Sequence, residues 1–197
     1  MLRADVVLAS PLPEVALVGR SNVGKSSLLN ALASGRIARV SRTPGKTRAL
    51  NVYAVDGRGM LRPYYLLDLP GYGYARAGKA DRVAFRRLVA HALARPRLVG
   101  VVWLLDIRRE HSAEDRAMQD LLAERGTSVL AALTKSDKLP FSRRLRRAKE
   151  VQEAFSLDPN QVLVTSALTG EGVAELREAI EHLVQGARDE GRGTGDG

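Results

Sequence analysis

Nine consecutive residues, Gly19-Arg20-Ser21-Asn22-Val23-Gly24-Lys25-Ser26-Ser27, satisfy the spacing G-x-x-x-x-G-K-[ST] directly after an apolar run at 15–18. No other feature constrains the fold as much, because this spacing asks for a strand, a tight loop and a helix in that order. A buried-strand pattern at 14–18 precedes the motif and an amphipathic helix pattern at 26–33 follows it. Glycines let backbone N–H groups curl around phosphate oxygens. Lys25 then places a charge on β- and γ-phosphates, and the Ser26 hydroxyl completes a Mg²⁺ shell. The competing reading is a plain glycine turn between strand and helix.

The rest of the chain fits the first reading. With 197 residues, 45% of them apolar, it can bury one substantial core. We expect a lead-in at 1–13, a single domain at 14–185 and a disordered, Gly- and charge-rich tail at 186–197. Strand patterns at 14–18, 50–55, 62–69, 98–106, 128–133 and 161–164 alternate with helical ones. Asp56-Gly57-Arg58-Gly59 marks a hairpin between the second and third strands, so one strand runs antiparallel. The expected fold is therefore α/β with three layers: a mostly parallel six-stranded sheet with one antiparallel strand, and helices on both faces. Residues 34–49 show no periodicity and read as a long loop, of the kind that usually carries function. Phe85, Leu88, Val89 and Ala92 line one face of a helix ended by Pro96. Ser112, with Asp115 three residues on, caps the next helix. Ser142 caps another that runs to about Phe155, and a last helix spans 173–184.

The absence of cysteine excludes a disulfide scaffold and any thiolate metal site. The longest apolar stretches, such as 99–105, are strand-length, and there is no signal-peptide pattern, so the reading is a cytoplasmic monomer without membrane contact. His91, His111 and His182 lack metal-ligand spacing, and Trp103 reads as core.

In a sheet of this kind ligands sit beyond the carboxyl ends of the strands. Asp68-Leu69-Pro70-Gly71 ends one strand with an acid placed to hold Mg²⁺ through water and a glycine whose N–H meets a γ-phosphate. Thr134-Lys135-Ser136-Asp137 ends another. The Asp137 carboxylate can accept from both N1–H and the 2-amino group of guanine, while the stem of Lys135 packs on the base. Adenine offers no such donor pair, so Asp137 selects GTP. Thr165-Ser166-Ala167 ends the next strand and can give a backbone N–H to guanine O6. Thr47, in the long loop, has the hydroxyl for a second protein ligand to Mg²⁺. Each motif is weak alone; in this order, each at a strand end, they are specific.

On these residues the chain resembles the TRAFAC-class P-loop GTPases, and more narrowly the EngB family (also called YihA or YsxC) of bacterial ribosome-biogenesis GTP-binding proteins. The resemblance is carried by GRSNVGKSSLLNAL at 19–32, SRTPGKTR at 41–48, DLPGYGYA at 68–75, the 106–118 run with Asp115, and TKSDKL at 134–139, and it covers 14–184. It implies that Gly45, Lys46, Thr47, Arg48 and Ala49 meet the nucleotide, with Thr47 a switch Mg²⁺ ligand, and that Lys25, Thr47 and Gly71 are the catalytic groups. It also implies a role in large-subunit assembly, with a link to cell division and septation. Several members have Trp near the position of Phe85, which touches nothing catalytic; the short N-terminus leaves any arm there without an assigned role.

Small GTPases usually place Gln after the DxxG glycine to orient the attacking water. Tyr72 stands there, so turnover is expected to be slow unless another group or a partner orients the water. Tyr72 and Tyr74 fit either local packing or stacking on a base. Asn22 resembles the asparagine with which relatives hold K⁺ in place of an arginine finger; a turn residue tolerant of left-handed geometry is the alternative.

The net charge of +9 suggests a polyanionic partner. No acid lies between Glu14 and Asp56, where Arg20, Lys25, Arg36, Arg39, Arg42, Lys46 and Arg48 fall. Arg143, Arg144, Arg146 and Arg147 open a helix, where cations oppose its dipole and repel one another. Arg82 and Arg86 form a third group. The candidates for RNA contact are Arg36, Arg39, Arg42, Arg48, Arg82, Arg86 and the 143–147 cluster, with a solvated basic face as the alternative for each. A protein-signalling GTPase without RNA contact is the second functional reading; a P-loop nucleotide kinase is disfavoured by the DxxG and TKSD motifs.

Overall fold

Val15 and Leu17 pack into one apolar cluster and Ala16 and Val18 into another, so their strand, β1 (Glu14–Gly19), is buried on both faces. A strand with no solvent face needs helices on both sides of its sheet. The computed structural model describes residues 10–33, 37–42, 50–56, 62–73 and 78–186 and supplies them. On one side α1 (Lys25–Ala33) and α5 (Val173–Gly186) contribute Leu28, Leu29, Leu176 and Ile180. On the other, α2 (Lys79–Leu93), α3 (Ala113–Glu124) and α4 (Phe141–Phe155) contribute Leu88, Met118, Val151 and Phe155. Trp103 lies in this second layer, 1% exposed, with its ring edge-on to Phe155 at 4.7 Å.

The remaining strands are β2 (Ile37–Arg42), β3 (Asn51–Val55), β4 (Tyr64–Asp68), β5 (Leu98–Asp106), β6 (Val129–Thr134) and β7 (Val162–Val164), in the spatial order β2-β3-β4-β1-β5-β6-β7. The six expected strands are all present, β1, β4, β5, β6 and β7 parallel and β3 antiparallel to β4. The seventh, β2, corrects the expectation of one long loop at 34–49: its backbone pairs antiparallel with β3, Ile37 opposite Val55 and Arg42 opposite Asn51. An arginine-rich edge strand is held by backbone pairing on one side and needs no apolar periodicity, so nothing in its own residues marks it. Its register also shifts between Arg39 and Ser41, which breaks the alternation.

Local chemistry explains the other boundaries. Ser112 accepts from the Asp115 N–H at 3.2 Å while Asp115 accepts from the Ser112 N–H at 2.9 Å, the capping box the sequence predicts. Ser142 does not cap α4, which starts one residue earlier behind Pro140. Proline lacks the N–H that would have no partner at a helix start, so it opens the helix without a side-chain cap. Glu14, a charged residue in a core strand, is paired with the Arg95 guanidinium, whose Nη2 donates to Oε1 at 2.7 Å. Among the described residues no helix is long and apolar enough to cross a membrane.

Candidate functional site

Gly19, Asp68, Asp106 and Thr134 close four adjacent parallel strands, so their chemistry converges on one edge of the sheet. The loop from Gly19 to α1 turns through two left-handed residues, Asn22 at φ 64° and Gly24 at φ 107°. The second angle is one that side chains rarely adopt, which is the physical demand behind the second motif glycine. The Thr134 hydroxyl donates to Val23 O at 2.6 Å, and Lys135 Nζ donates to Asn22 O at 2.6 Å, so the loop after β6 braces the middle of the phosphate-loop motif. Lys25 opens α1, whose first-turn N–H groups have no intrahelical partner, and its ammonium is paired with Asp68. Asn51 Nδ2 donates to the other Asp68 oxygen at 3.2 Å. Ser26 and Ser27 are exposed beside them.

Beyond β4 the chain stays stitched to the motif. Tyr72 N–H donates to Gly19 O at 3.1 Å, and Ser21 N–H donates to Tyr72 O at 2.8 Å. The intervening Gly71 lies so close that a Cβ there would come within 2.9 Å of the Ser21 backbone. Tyr72 itself packs locally: it is 6% exposed, its hydroxyl donates to Asp115 Oδ1 at 2.8 Å, and it accepts from Trp103 Nε1 at 2.8 Å. Burial, reinforced by the Asp115 charge, pushes the phenol well above its usual pKa. Arg20, expected beside the nucleotide, directs Nη1 to the same carboxylate at 3.6 Å.

On the base side, Ser166 donates its hydroxyl to Asp137 Oδ1 at 2.7 Å. That bond, helped by Lys138 at 3.3 Å, holds the Asp137 carboxyl below the usual range. Ser136 N–H donates to Thr165 O at 3.1 Å, which joins the two base-side loops directly. Ser166 N–H is taken by Glu171 O at 2.9 Å and Thr165 N–H by Leu133 O at 2.8 Å, so of the 165–167 run it is Ala167 whose N–H has no partner among the described residues. Asp106, not singled out from the sequence, accepts from Lys135 Nζ at 3.0 Å and from Arg108 Nε and Nη2 at 2.9 and 2.7 Å. Burial raises its pKa, but the bonds from Arg108 and then Lys135 outweigh it and hold the group at about 2. The signal was available: Asp106 ends a strand, as Asp68 and Thr134 do.

The structure divides the arginine cluster. Arg144 Nη1 lies 2.8 Å from both carboxylate oxygens of Glu171, and Arg147 donates to Ile107 O at 3.1 Å and is paired with Glu150. Arg143 and Arg146 are exposed, as are Arg82 and Arg86 on α2. Arg39 and Arg42 lie in β2. Arg36, Gly45, Lys46, Thr47, Arg48, Ala49 and Tyr74 fall outside the described residues.

Comparison with known proteins agrees with this geometry. Residues 14–135 match the family described as 50S ribosome-binding GTPase. The probable GTP-binding protein EngB of Gemmatimonas aurantiaca is 45% identical over 175 residues, 88% of this chain and 83% of that protein. The probable GTP-binding protein EngB of Thermotoga maritima is 42% identical over 174 residues, 87% of each chain. A crystal structure of a probable GTP-binding protein EngB superposes at TM-score 0.68 with 21% identity, covering 87% of this chain and 98% of that one. Era in complex with MgGDPNP and nucleotides 1506–1542 of 16S ribosomal RNA superposes at 0.69 with 24% identity, covering 87% of this chain and 56% of that one. The two structures speak to the fold alone; the family rests on the sequence matches. The chain belongs to the EngB family of GTP-binding proteins, and its domain is a GTPase domain.

Proposed function

We propose that this chain is a slow GTPase that acts as an assembly switch on the large ribosomal subunit, in contact with ribosomal RNA. In this reading Lys25 and the first-turn N–H groups of α1 hold the phosphates, and the Gly71 N–H meets the γ-phosphate. Asp137 takes the N1–H and 2-amino group of guanine, the Lys135 stem covers the base and the Ala167 N–H meets O6. The donors near Lys25 fit Mg²⁺: Ser26 offers a hydroxyl and Asp68 a carboxylate, both hard oxygens. Two such protein oxygens suit an ion that takes its other ligands from phosphates and water. Bound there, with Thr47 as a further ligand, Mg²⁺ would neutralise charge on the β- and γ-phosphates. Through the assembly role the family's link to cell division and septation carries over, with the chain acting in the cytoplasm.

The observation that supports the RNA contact is the set of exposed arginines, Arg82, Arg86, Arg143 and Arg146, on a chain of net charge +9 that matches a family described as ribosome-binding. A protein-signalling GTPase without RNA contact draws on a different one: Phe141, Leu145 and Leu168 are 69%, 66% and 76% exposed. Cosedimentation of the full chain with large-subunit particles tests the switch. Retention is expected with a non-hydrolysable GTP analogue and release with GDP, and by linkage the particle must favour GTP over GDP by the same factor. Equal retention in both nucleotides overturns it.

A further inference from the structure

Arg144 is an arginine in the first turn of α4, where the helix dipole disfavours a cation, and no phosphate contact is needed to explain it. Its Nη1 lies 2.8 Å from both oxygens of Glu171, and its Nε donates to Leu139 O at 3.0 Å, at the end of the turn that carries Asp137. Glu171 in turn grips both base-side loops. Its carboxylate accepts from the hydroxyl of Ser136, which is fully buried and precedes Asp137, at 2.5 Å. Its carbonyl accepts from the N–H of Ser166, which itself holds Asp137 by its hydroxyl. One residue thus sets the position of the acceptor for the guanine edge and of the loop that offers the O6 donor.

We propose that Glu171, oriented by Arg144, is a positioning residue for guanine selectivity, a clamp that fixes Asp137 and Ala167 at the spacing of one base. This rests on the reading that Asp137 takes the guanine edge. A bidentate acceptor needs both bonds near ideal length and angle, so a small relaxation of either loop weakens recognition. The pair is part-buried, with 20% and 32% of the two side chains exposed, so it also contributes to stability, and the test must read base preference and not affinity alone. The sequence places Glu171 between Gly170 and Gly172, where it reads as part of a turn, and Arg144 in a basic run; only the fold brings them together.

The test compares affinities for GDP and for inosine diphosphate, which lacks the 2-amino group. Glu171→Ala should weaken GDP binding about tenfold and inosine diphosphate less, narrowing the preference. Glu171→Gln, which keeps an acceptor for Ser136, should retain part of it. In an Asp137→Ala background Glu171→Ala should leave the ratio unchanged, because the residue through which it acts is gone. Arg144→Met provides the same comparison with the carboxylate kept, should Glu171→Ala not fold. A folded Glu171→Ala or Arg144→Met protein with the unaltered preference overturns the clamp while leaving Asp137 in its role. A wild-type protein with no preference for GDP over inosine diphosphate overturns the Asp137 reading itself.

Discussion

The phenolic hydroxyl of Tyr72 donates to the Asp115 carboxylate at 2.8 Å, which joins the loop after β4 to the first turn of α3. Trp103 Nε1 completes the set by donating to the same hydroxyl from the middle of β5. The residue that follows the DxxG glycine therefore directs its one hydrogen into the core, and burial keeps that hydrogen in place by raising the phenol's pKa. A side chain so committed anchors the loop near Gly71 and leaves its hydroxyl no hydrogen to give to a water.

Tyr72→Phe should therefore reveal itself in stability more than in turnover. It leaves Asp115 and the Trp103 N–H each short of a buried partner, a loss of about 1–3 kcal/mol. Urea denaturation and single-turnover hydrolysis separate the two effects. A large fall in the hydrolysis step with unchanged stability would instead place Tyr72 in the catalytic machinery.

Much of this arrangement can be read from residue order, and the part that cannot has a physical reason. The phosphate-loop motif, the strands that end at Asp68 and Thr134, and the Ser112–Asp115 cap are local patterns, each specified within a few residues. β2 is not, because Ile37–Arg42 takes its partner from β3. Arg144 and Glu171 meet across 27 positions, and Arg20 and Asp115 are likewise far apart in the sequence, so neither pairing leaves a local trace. The basic run at 143–147 misleads for the same reason: its charge is legible in the sequence, but which of those charges are already neutralised is not.

Acid should expose the role of Asp106. Its folded pKa of about 2 lies below the unfolded carboxylate value of about 3.9, so its contribution to stability is complete above about pH 4 and is lost as pH falls toward the folded value. The destabilisation caused by Asp106→Asn should then stay constant from neutral pH down to about pH 4 and shrink only below. Thermal melts of both proteins over that range provide the check. A difference that already narrows between pH 7 and 5 would mean that Arg108 and Lys135 do not hold the carboxylate as described.

Potassium should accelerate hydrolysis if Asn22 helps to hold it beside the β- and γ-phosphates, because a fixed cation there offsets charge developed in the transition state. Arg20 does not fill that place in this arrangement, since its guanidinium faces Asp115. Turnover in KCl and NaCl at matched ionic strength is the comparison. Equal rates leave Asn22 as a turn residue, a role its φ of 64° already explains.

The RNA contact is best tested where the structure leaves charge unspent. Arg146 is 83% exposed and among the described residues pairs only with Glu150, at 3.1 Å one turn on, an interaction worth little in water, and Arg143 is exposed beside it. Changing both to Gln should barely alter stability or free-protein nucleotide affinity, because neither touches the base-side loops in the way Arg144 does. Binding to large-subunit particles should weaken, and the log–log dependence on salt should flatten by roughly 0.7 for each phosphate of single-stranded RNA that is no longer neutralised. Arg82 and Arg86, one turn apart on the exposed face of α2, form the second set, and Gln at both should flatten the slope again if the two groups bind together. A change at Arg144 is the necessary contrast, since it should alter guanine preference and leave the salt slope unchanged. If all four substitutions leave particle affinity and salt slope untouched, these arginines are a solvated face and the RNA contact must be sought elsewhere on the chain.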